Sequence, residues 1–105
     1  MADKRKETEE KYRAVYDIVS AIPSGSVASY GQIALMIGGM TARQVGRAMS
    51  LAPPGLPAHR VVNRLGEMSP DYVFGGLEIQ RALLESEGVT FTDAGRIDMK
   101  KHRWQ

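Results

Sequence analysis

Cysteine is absent from all 105 residues. That one omission removes disulfides, thiolate metal sites and a cysteine nucleophile together. Histidine is nearly as scarce: His59 and His102 are the only two, too few and too far apart in sequence to suggest a metal site. No metal and no other cofactor is expected. No apolar run approaches the ~20 residues that a bilayer-spanning helix needs. The start, Met1-Ala2-Asp3-Lys4-Arg5-Lys6, leads into charge rather than an apolar stretch, so no secretory leader is expected. At this length one domain, spanning residues 1–105, has room for one modest core and not for two. The expectation is a monomer in the cytoplasm, associated with the nucleoid if the source is bacterial.

Negative charge is missing from one long stretch. Between Ile18 and Gly66 there is no Asp or Glu, while Arg43, Arg47, Arg60 and Arg64 all fall there. The net charge of +2 understates this asymmetry, because the twelve acids lie at or before Asp17 or at or after Glu67. A positive central segment between mixed-charge flanks is the pattern of a polyanion-binding face, although four solvated arginines would give the same count. The run Lys4 to Arg13 interleaves both signs and reads as a solvated helix face.

Tyr12, Val15, Tyr16, Val19 and Ile22 recur at i, i+3, i+4 and i+7, which predicts an amphipathic helix over roughly residues 7–22. Pro23-Ser24-Gly25-Ser26 ends it, and Val27-Ala28 reads as a short extended link. Two helix starts follow closely. Ser29-Tyr30-Gly31-Gln32 and Thr41-Ala42-Arg43-Gln44 both fit the capping box, in which a hydroxyl and an amide side chain satisfy orphan backbone N–H groups. Ile33-Ala34-Leu35-Met36-Ile37 between them is apolar, and Gly38-Gly39 supplies a stop. A helix-turn-helix over about residues 30–51 is therefore expected. Its second helix should bury Val45, Ala48 and Met49 and leave Arg43 and Arg47 one turn apart on another face. Beyond Pro53-Pro54-Gly55, Pro57 to Asn63 reads as a short strand because of Val61-Val62. Residues 66–76 read as a loop or wing, and Leu77 to Glu87 as a helix with Gly88 at its end. Val89 and Phe91, then Ile97 and Met99, flank Asp93-Ala94-Gly95 as a C-terminal hairpin within the segment 89–105. The fold class that follows is α+β, mostly helical: a single winged helix-turn-helix domain.

Pro57-Ala58-His59-Arg60-Val61-Val62-Asn63 resembles the active-site signature of the O6-alkylguanine-DNA alkyltransferases, with Ala58 where the alkyl-accepting cysteine stands. The resemblance runs from about Tyr12 to Val89. It includes Ser29-Tyr30-Gly31-Gln32-Ile33-Ala34, Ala42-Arg43-Gln44-Val45-Gly46-Arg47-Ala48-Met49, and Gly75-Gly76-Leu77 followed by Leu83-Leu84-Glu85-Ser86-Glu87-Gly88. Without a cysteine and without the family's separate N-terminal domain, the chain is similar to the alkyltransferase-like proteins. A cysteine-to-alanine exchange in an active transferase would leave the same residue at 58; the lack of every other cysteine speaks against it.

The resemblance implies a set of roles. The second helix would enter the minor groove, with Thr41, Ala42, Arg43, Gln44, Gly46 and Arg47 at the DNA. Arg43 would fill the space left by an extruded base, for which a flat, permanently charged guanidinium is suited. Ala42, Gly46 and Ala48 would permit close approach to the groove; tight helix packing is the plain alternative for the last two. Tyr30 would push on the phosphate beside the lesion and help rotate the nucleotide out, a step that costs least for a damaged, weakly paired base. His59 and Glu87 correspond to the pair that activates the cysteine, here a vestigial relay with no nucleophile, and Arg60 would tie the strand to neighbouring backbone. Pro57, Ala58, His59, Arg60, Val73, Phe74 and Gly75 would line the lesion pocket.

Two departures from the family stand out. The connection from Ser50 to Leu56 is short and has Ala52 where an asparagine is common. The loop Glu67 to Gly76 holds Met68, Tyr72, Val73 and Phe74, so beside the small Ala58 the pocket should accept groups larger than methyl. Three functions stay open. The first is a non-enzymatic sensor that binds O6-alkylguanine in double-stranded DNA, flips it without alkyl transfer, and marks it for nucleotide excision repair through a protein partner. The second is an enzyme in which His59 and Glu87 activate a water to hydrolyse the adduct. The third is a general winged-helix nucleic-acid-binding module without lesion selectivity. The basic tail Lys100-Lys101-His102-Arg103-Trp104 would touch phosphates or dock on the domain through Trp104.

Overall fold

In the computed structural model, which describes residues 4–68 and 77–105, helix α1 spans Lys4–Ala21. It starts earlier than the apolar period indicates. Arg5 and Glu9, and Lys6 and Glu10, are helix-forming residues spaced one turn apart with opposite charge, which extends a helix beyond its packed face. Its end is set by Pro23, which disfavours helical backbone at Ile22. Strand β1 (Ala28–Ser29) leads directly into α2 (Tyr30–Ile37), and α3 (Ala42–Ser50) follows after a four-residue turn. Gly38 and Gly39 make that turn at φ 77° and 72°, backbone that a residue with a Cβ rarely adopts. The two-helix unit and both of its boundaries agree with the sequence pattern.

Only part of the segment Pro57 to Asn63 is a strand. Ala58–Arg60 closes into a single 3-10 turn, and β2 is confined to Val61–Val62. β2 pairs parallel with β1, Ala28 opposite Val61 and Ser29 opposite Val62. This small sheet is buried on both sides, which is why it reads as an unbroken apolar run rather than an alternation. Ala28 and Val61 face a cluster formed by Val15 and Val19 of α1, Ile22 just after it, Ile33 and Ala34 of α2, and Val45, Ala48 and Met49 of α3. Val27 and Val62 face a second cluster with Leu84, Val89 and Ile97. The core residues expected on α1 and α3 are therefore in place.

Helix α4 covers Leu77–Ser86, and Gly88 follows at φ 87°. The C-terminal hairpin is present and short: Phe91 and Ile97 form an antiparallel bridge, with Thr92 N–H donating to the Arg96 carbonyl at 2.7 Å and Asp98 N–H to the Thr90 carbonyl at 3.0 Å, and the tail after it forms a short helix α5 over Met99–His102. Beyond the hairpin the tail is tied elsewhere: Val27 N–H donates to the His102 carbonyl and Trp104 N–H donates to the Val27 carbonyl, both at 2.8 Å, so the last residues add beside β1. The Thr90 backbone N–H donates to His102 Nε2 at 3.0 Å, which leaves Nδ1 to donate to the Gly25 carbonyl at 3.0 Å. Ser29 caps α2 through Gln32 N–H at 3.0 Å, but the reciprocal half of that box is absent. Gln32 Nε2 donates instead to the Trp104 carbonyl at 2.7 Å. Trp104 is half-buried against the first cluster, so the tail is part of the core. No helix among the described residues is long and apolar enough to cross a membrane. The loop expected over 66–76 is described only to Met68.

Candidate nucleic-acid interface

The sequence of α3 divides it into two faces. Val45, Ala48 and Met49 are buried, while Thr41, Ala42, Arg43, Gln44 and Arg47 are exposed. Its start is fixed by a complete capping box: Thr41 Oγ1 accepts from Gln44 N–H at 3.1 Å, and Gln44 Oε1 accepts from Thr41 N–H at 2.9 Å. That use of Oε1 leaves the Gln44 amide nitrogen pointing its donors elsewhere. The other end is held from α1, where the Tyr16 hydroxyl donates to the Ala48 carbonyl at 2.8 Å. Burial and the neighbouring Tyr12 ring raise the Tyr16 pKa, keeping it a neutral donor. Among the described residues Arg43 and Arg47 form no ion pair, so two guanidinium groups stand one turn apart on a helix surface without acids.

Tyr30, the first residue of α2, meets this helix at Gly46. A Cβ at Gly46 would lie 4.0 Å from Tyr30 Cδ1, an ordinary contact, with no other neighbour as close. Packing inside the protein therefore does not demand glycine here, although glycine in mid-helix costs roughly 1 kcal/mol relative to alanine. Close helix packing among the described residues therefore does not account for glycine at this position.

The second group centres on the 3-10 turn. Arg60 grips Glu87 with two parallel bonds, Nε to Oε1 at 2.9 Å and NH2 to Oε2 at 2.6 Å, while its NH1 donates to the Ile22 carbonyl at 2.7 Å. His59 Nε2 lies 2.9 Å from Glu87 Oε2. The hydrogen bond from Arg60 holds the Glu87 carboxyl at about 2, with the His59 contact adding to it against the effect of burial. An ionised carboxylate only accepts, so His59 Nε2 carries the hydrogen in this pair. The same contact raises Arg60 further. The side chains of His59, Arg60 and Glu87 are 13%, 16% and 14% exposed, a setting in which charge-assisted bonds are little screened.

Ala58 opens this turn, its methyl half-buried against the first core cluster, which Tyr30 also borders. Pro57 precedes it, half-exposed. Val73, Phe74 and Gly75, and Tyr72 beside them, lie outside the described residues. Among the described residues no group of acids and histidines is arranged to hold a metal ion.

One residue of this region escaped sequence reasoning. Gln80 is fully buried on α4, and its Nε2 donates to the His59 carbonyl at 3.0 Å and contacts the Val61 carbonyl at 3.4 Å. It fixes the backbone of the turn from below. A signal was there: Gln80 and Leu84 recur one turn apart and Glu87 follows a further turn on, so a polar side chain shares the buried face of α4 with Leu84. A buried polar group needs a partner; Gln80 finds backbone and Glu87 finds Arg60.

With this geometry established, known proteins provide a comparison. The family described as the 6-O-methylguanine DNA methyltransferase DNA-binding domain matches residues 10–89. The chain is 41% identical to the DNA base-flipping protein of Escherichia coli over 97% of its own length and 81% of that protein's. It is 38% identical to alkyltransferase-like protein 1 of Schizosaccharomyces pombe, covering 92% and 96% of the two chains. The crystal structure of S. pombe Atl1 in complex with damaged DNA containing O6-carboxymethylguanine superposes with a TM-score of 0.77 at 39% identity, over 92% and 96% of the chains. The Mycobacterium tuberculosis OGT in complex with DNA gives a TM-score of 0.63 at 36% identity over 74% of this chain, which spans about half of that one (49%). The chain therefore belongs to the family of 6-O-methylguanine DNA methyltransferase DNA-binding domains.

Proposed function

We propose that this protein recognises O6-alkylguanine in duplex DNA without transferring the alkyl group. Helix α3 enters the minor groove, Arg43 takes the place of the rotated base, Tyr30 pushes on the adjacent phosphate, and the lesion is held over Ala58. One observation carries this reading: an exposed Arg43 without an ion-pair partner among the described residues, on a helix with a complete N-terminal capping box, stands in the same domain as an alanine at the acceptor position. The means of opening the duplex are present and the acceptor is not. Relatives of closely similar length bear names or structures that speak of base flipping and of damaged DNA, which supports the same assignment. A wing over residues 66–76 belongs to this proposal, and the protein acts as a monomer. Handover of the marked lesion to nucleotide excision repair, through a protein partner, completes the proposal.

Hydrolysis by an activated water draws no support from the site. A general base works best with a pKa near the working pH, whereas Glu87 is held at about 2 by Arg60. It orients His59 and the turn instead.

The test is a titration into matched duplexes with and without O6-methylguanine, followed by analysis of the recovered DNA. Selective binding with the methyl group intact is expected; loss of methyl would establish an enzyme, and equal affinity a general module. Arg43→Ala should lower the preference for damaged duplex more than Tyr30→Phe, and unchanged binding in both would remove the flipping mechanism. Duplexes with benzyl or bulkier O6 adducts should also bind, and selectivity for methyl alone would refute a pocket enlarged at Ala58.

A further inference from the structure

Helices α1 and α3 do not close fully against each other. Between them lies a cleft of about 400 Å³ lined by Thr8, Lys11 and Tyr12 of α1, Met40 of the turn, and Gln44 and Arg47 of α3. Two of these side chains are cationic, two carry hydroxyls and one an amide, and none is acidic. Met40 and Tyr12 are half-buried and give the cleft an apolar floor, whereas Lys11, Gln44 and Arg47 are exposed at its rim. The Gln44 carbonyl oxygen is already committed to the capping box, so the group it can offer is a donor. Lys11, Arg47 and the Gln44 amide nitrogen offer only donors, which favours an anion. The next groove along α1, lined by Arg5, Thr8, Glu9 and Tyr12, is charge-balanced and lacks this character.

We propose that this cleft is a phosphate clamp in which Lys11 and Arg47, with the Gln44 amide, hold one backbone phosphate of the duplex. The inference rests on the DNA-binding reading of α3 and extends it to α1, which lies outside the helix-turn-helix. The geometry of α3 sets the position. Arg43 and Arg47 are one helical turn apart, so a duplex engaged at Arg43 presents its backbone to the α1 side at Arg47. A compact ammonium from Lys11 and a forked guanidinium from Arg47 approach the phosphate from two helices. Such a contact carries no sequence or lesion information; it fixes register and adds affinity that depends on salt.

The test separates this clamp from lesion recognition. Binding of wild type, Lys11→Gln and Arg47→Gln is measured by fluorescence anisotropy on damaged and undamaged duplexes at several salt concentrations. Each variant should bind both duplexes about five- to tenfold more weakly, with the salt slope reduced by about one and the damaged-to-undamaged ratio unchanged. A scan of single methylphosphonate substitutions should reveal one phosphate whose neutralisation weakens wild type but not Lys11→Gln. Unaltered affinity and slope in both variants, or no such phosphate, would overturn the clamp even where wild type prefers the lesion. Equal wild-type affinity for both duplexes would instead overturn lesion recognition, with the clamp still read from the slope and the scan. Thermal melting of the two variants, expected within a degree or two of wild type because both side chains are exposed, guards against misfolding.

Discussion

Arg60 and Glu87 meet through two parallel hydrogen bonds of 2.9 and 2.6 Å, and a third guanidinium nitrogen reaches the Ile22 carbonyl. This pair joins the 3-10 turn at Ala58, the end of α4 and the end of α1 at one point. It also determines how the protein responds to acid. The Glu87 pKa is lowered from 4.5 to about 2, so the folded state binds this proton more weakly than the unfolded chain. The stability contributed is complete above about pH 4.5 and is lost as pH falls towards 2, on the order of 3 kcal/mol. Urea midpoints measured from pH 7 to pH 2 should show that decline in wild type. In Glu87→Gln the decline should be much shallower and stability at pH 7 lower, because Arg60 is left half-buried without its counter-ion.

Gly46→Ala separates folding from binding. Among the described residues nothing opposes a methyl group at this position, since the contact it would make is with Tyr30 Cδ1 at 4.0 Å. Thermal denaturation should therefore show a stabilisation of about 0.5–1 kcal/mol. Affinity for duplex DNA should fall in the same variant, because the added methyl keeps α3 from the groove. Unchanged DNA affinity would return Gly46 to a role without an external partner.

Gln80→Leu should expose the hidden support of the turn. The leucine fits an apolar stripe but leaves the His59 and Val61 carbonyls without the Gln80 amide, a loss of about 1–3 kcal/mol. Hydrogen exchange should quicken at Arg60 and Val61 before it does in α1. A loss spread evenly over the whole chain would argue against a local role.

The tail is expected to act through Trp104 and not through its charges. Trp104→Ala removes a ring packed on the first core cluster and should lower stability by about 2 kcal/mol. Lys100→Gln with Lys101→Gln, both at exposed positions, should leave the melting temperature within error. Equal damage from the two changes would mean that the lysines also hold the tail.

Much of this protein is legible along the chain because the forces concerned are local. The apolar period of α1, the Thr41–Gln44 box and the paired glycines before α3 act over a few residues, and each appears where the sequence places it. The missing cysteine and the acid-free span from Ile18 to Gly66 limit the chemistry and direct attention to α3. Other features depend on partners distant in sequence. Gln32 fits a capping box by spacing, yet its amide is taken by Trp104, and the second half of that box never forms. The hairpin around Asp93-Ala94-Gly95 forms, but the chain after it turns into α5 and is then drawn alongside β1 by the backbone groups of Val27. Pro57 to Asn63 reads as one strand, although the Arg60–Glu87 pair and the Gln80 amide hold its first half as a turn. Local hydrogen bonds and periodic burial can be read from neighbouring residues, and those determined the helices of this protein. Which buried polar group meets which is decided only when the chain closes on itself, and that closure formed the site around Ala58.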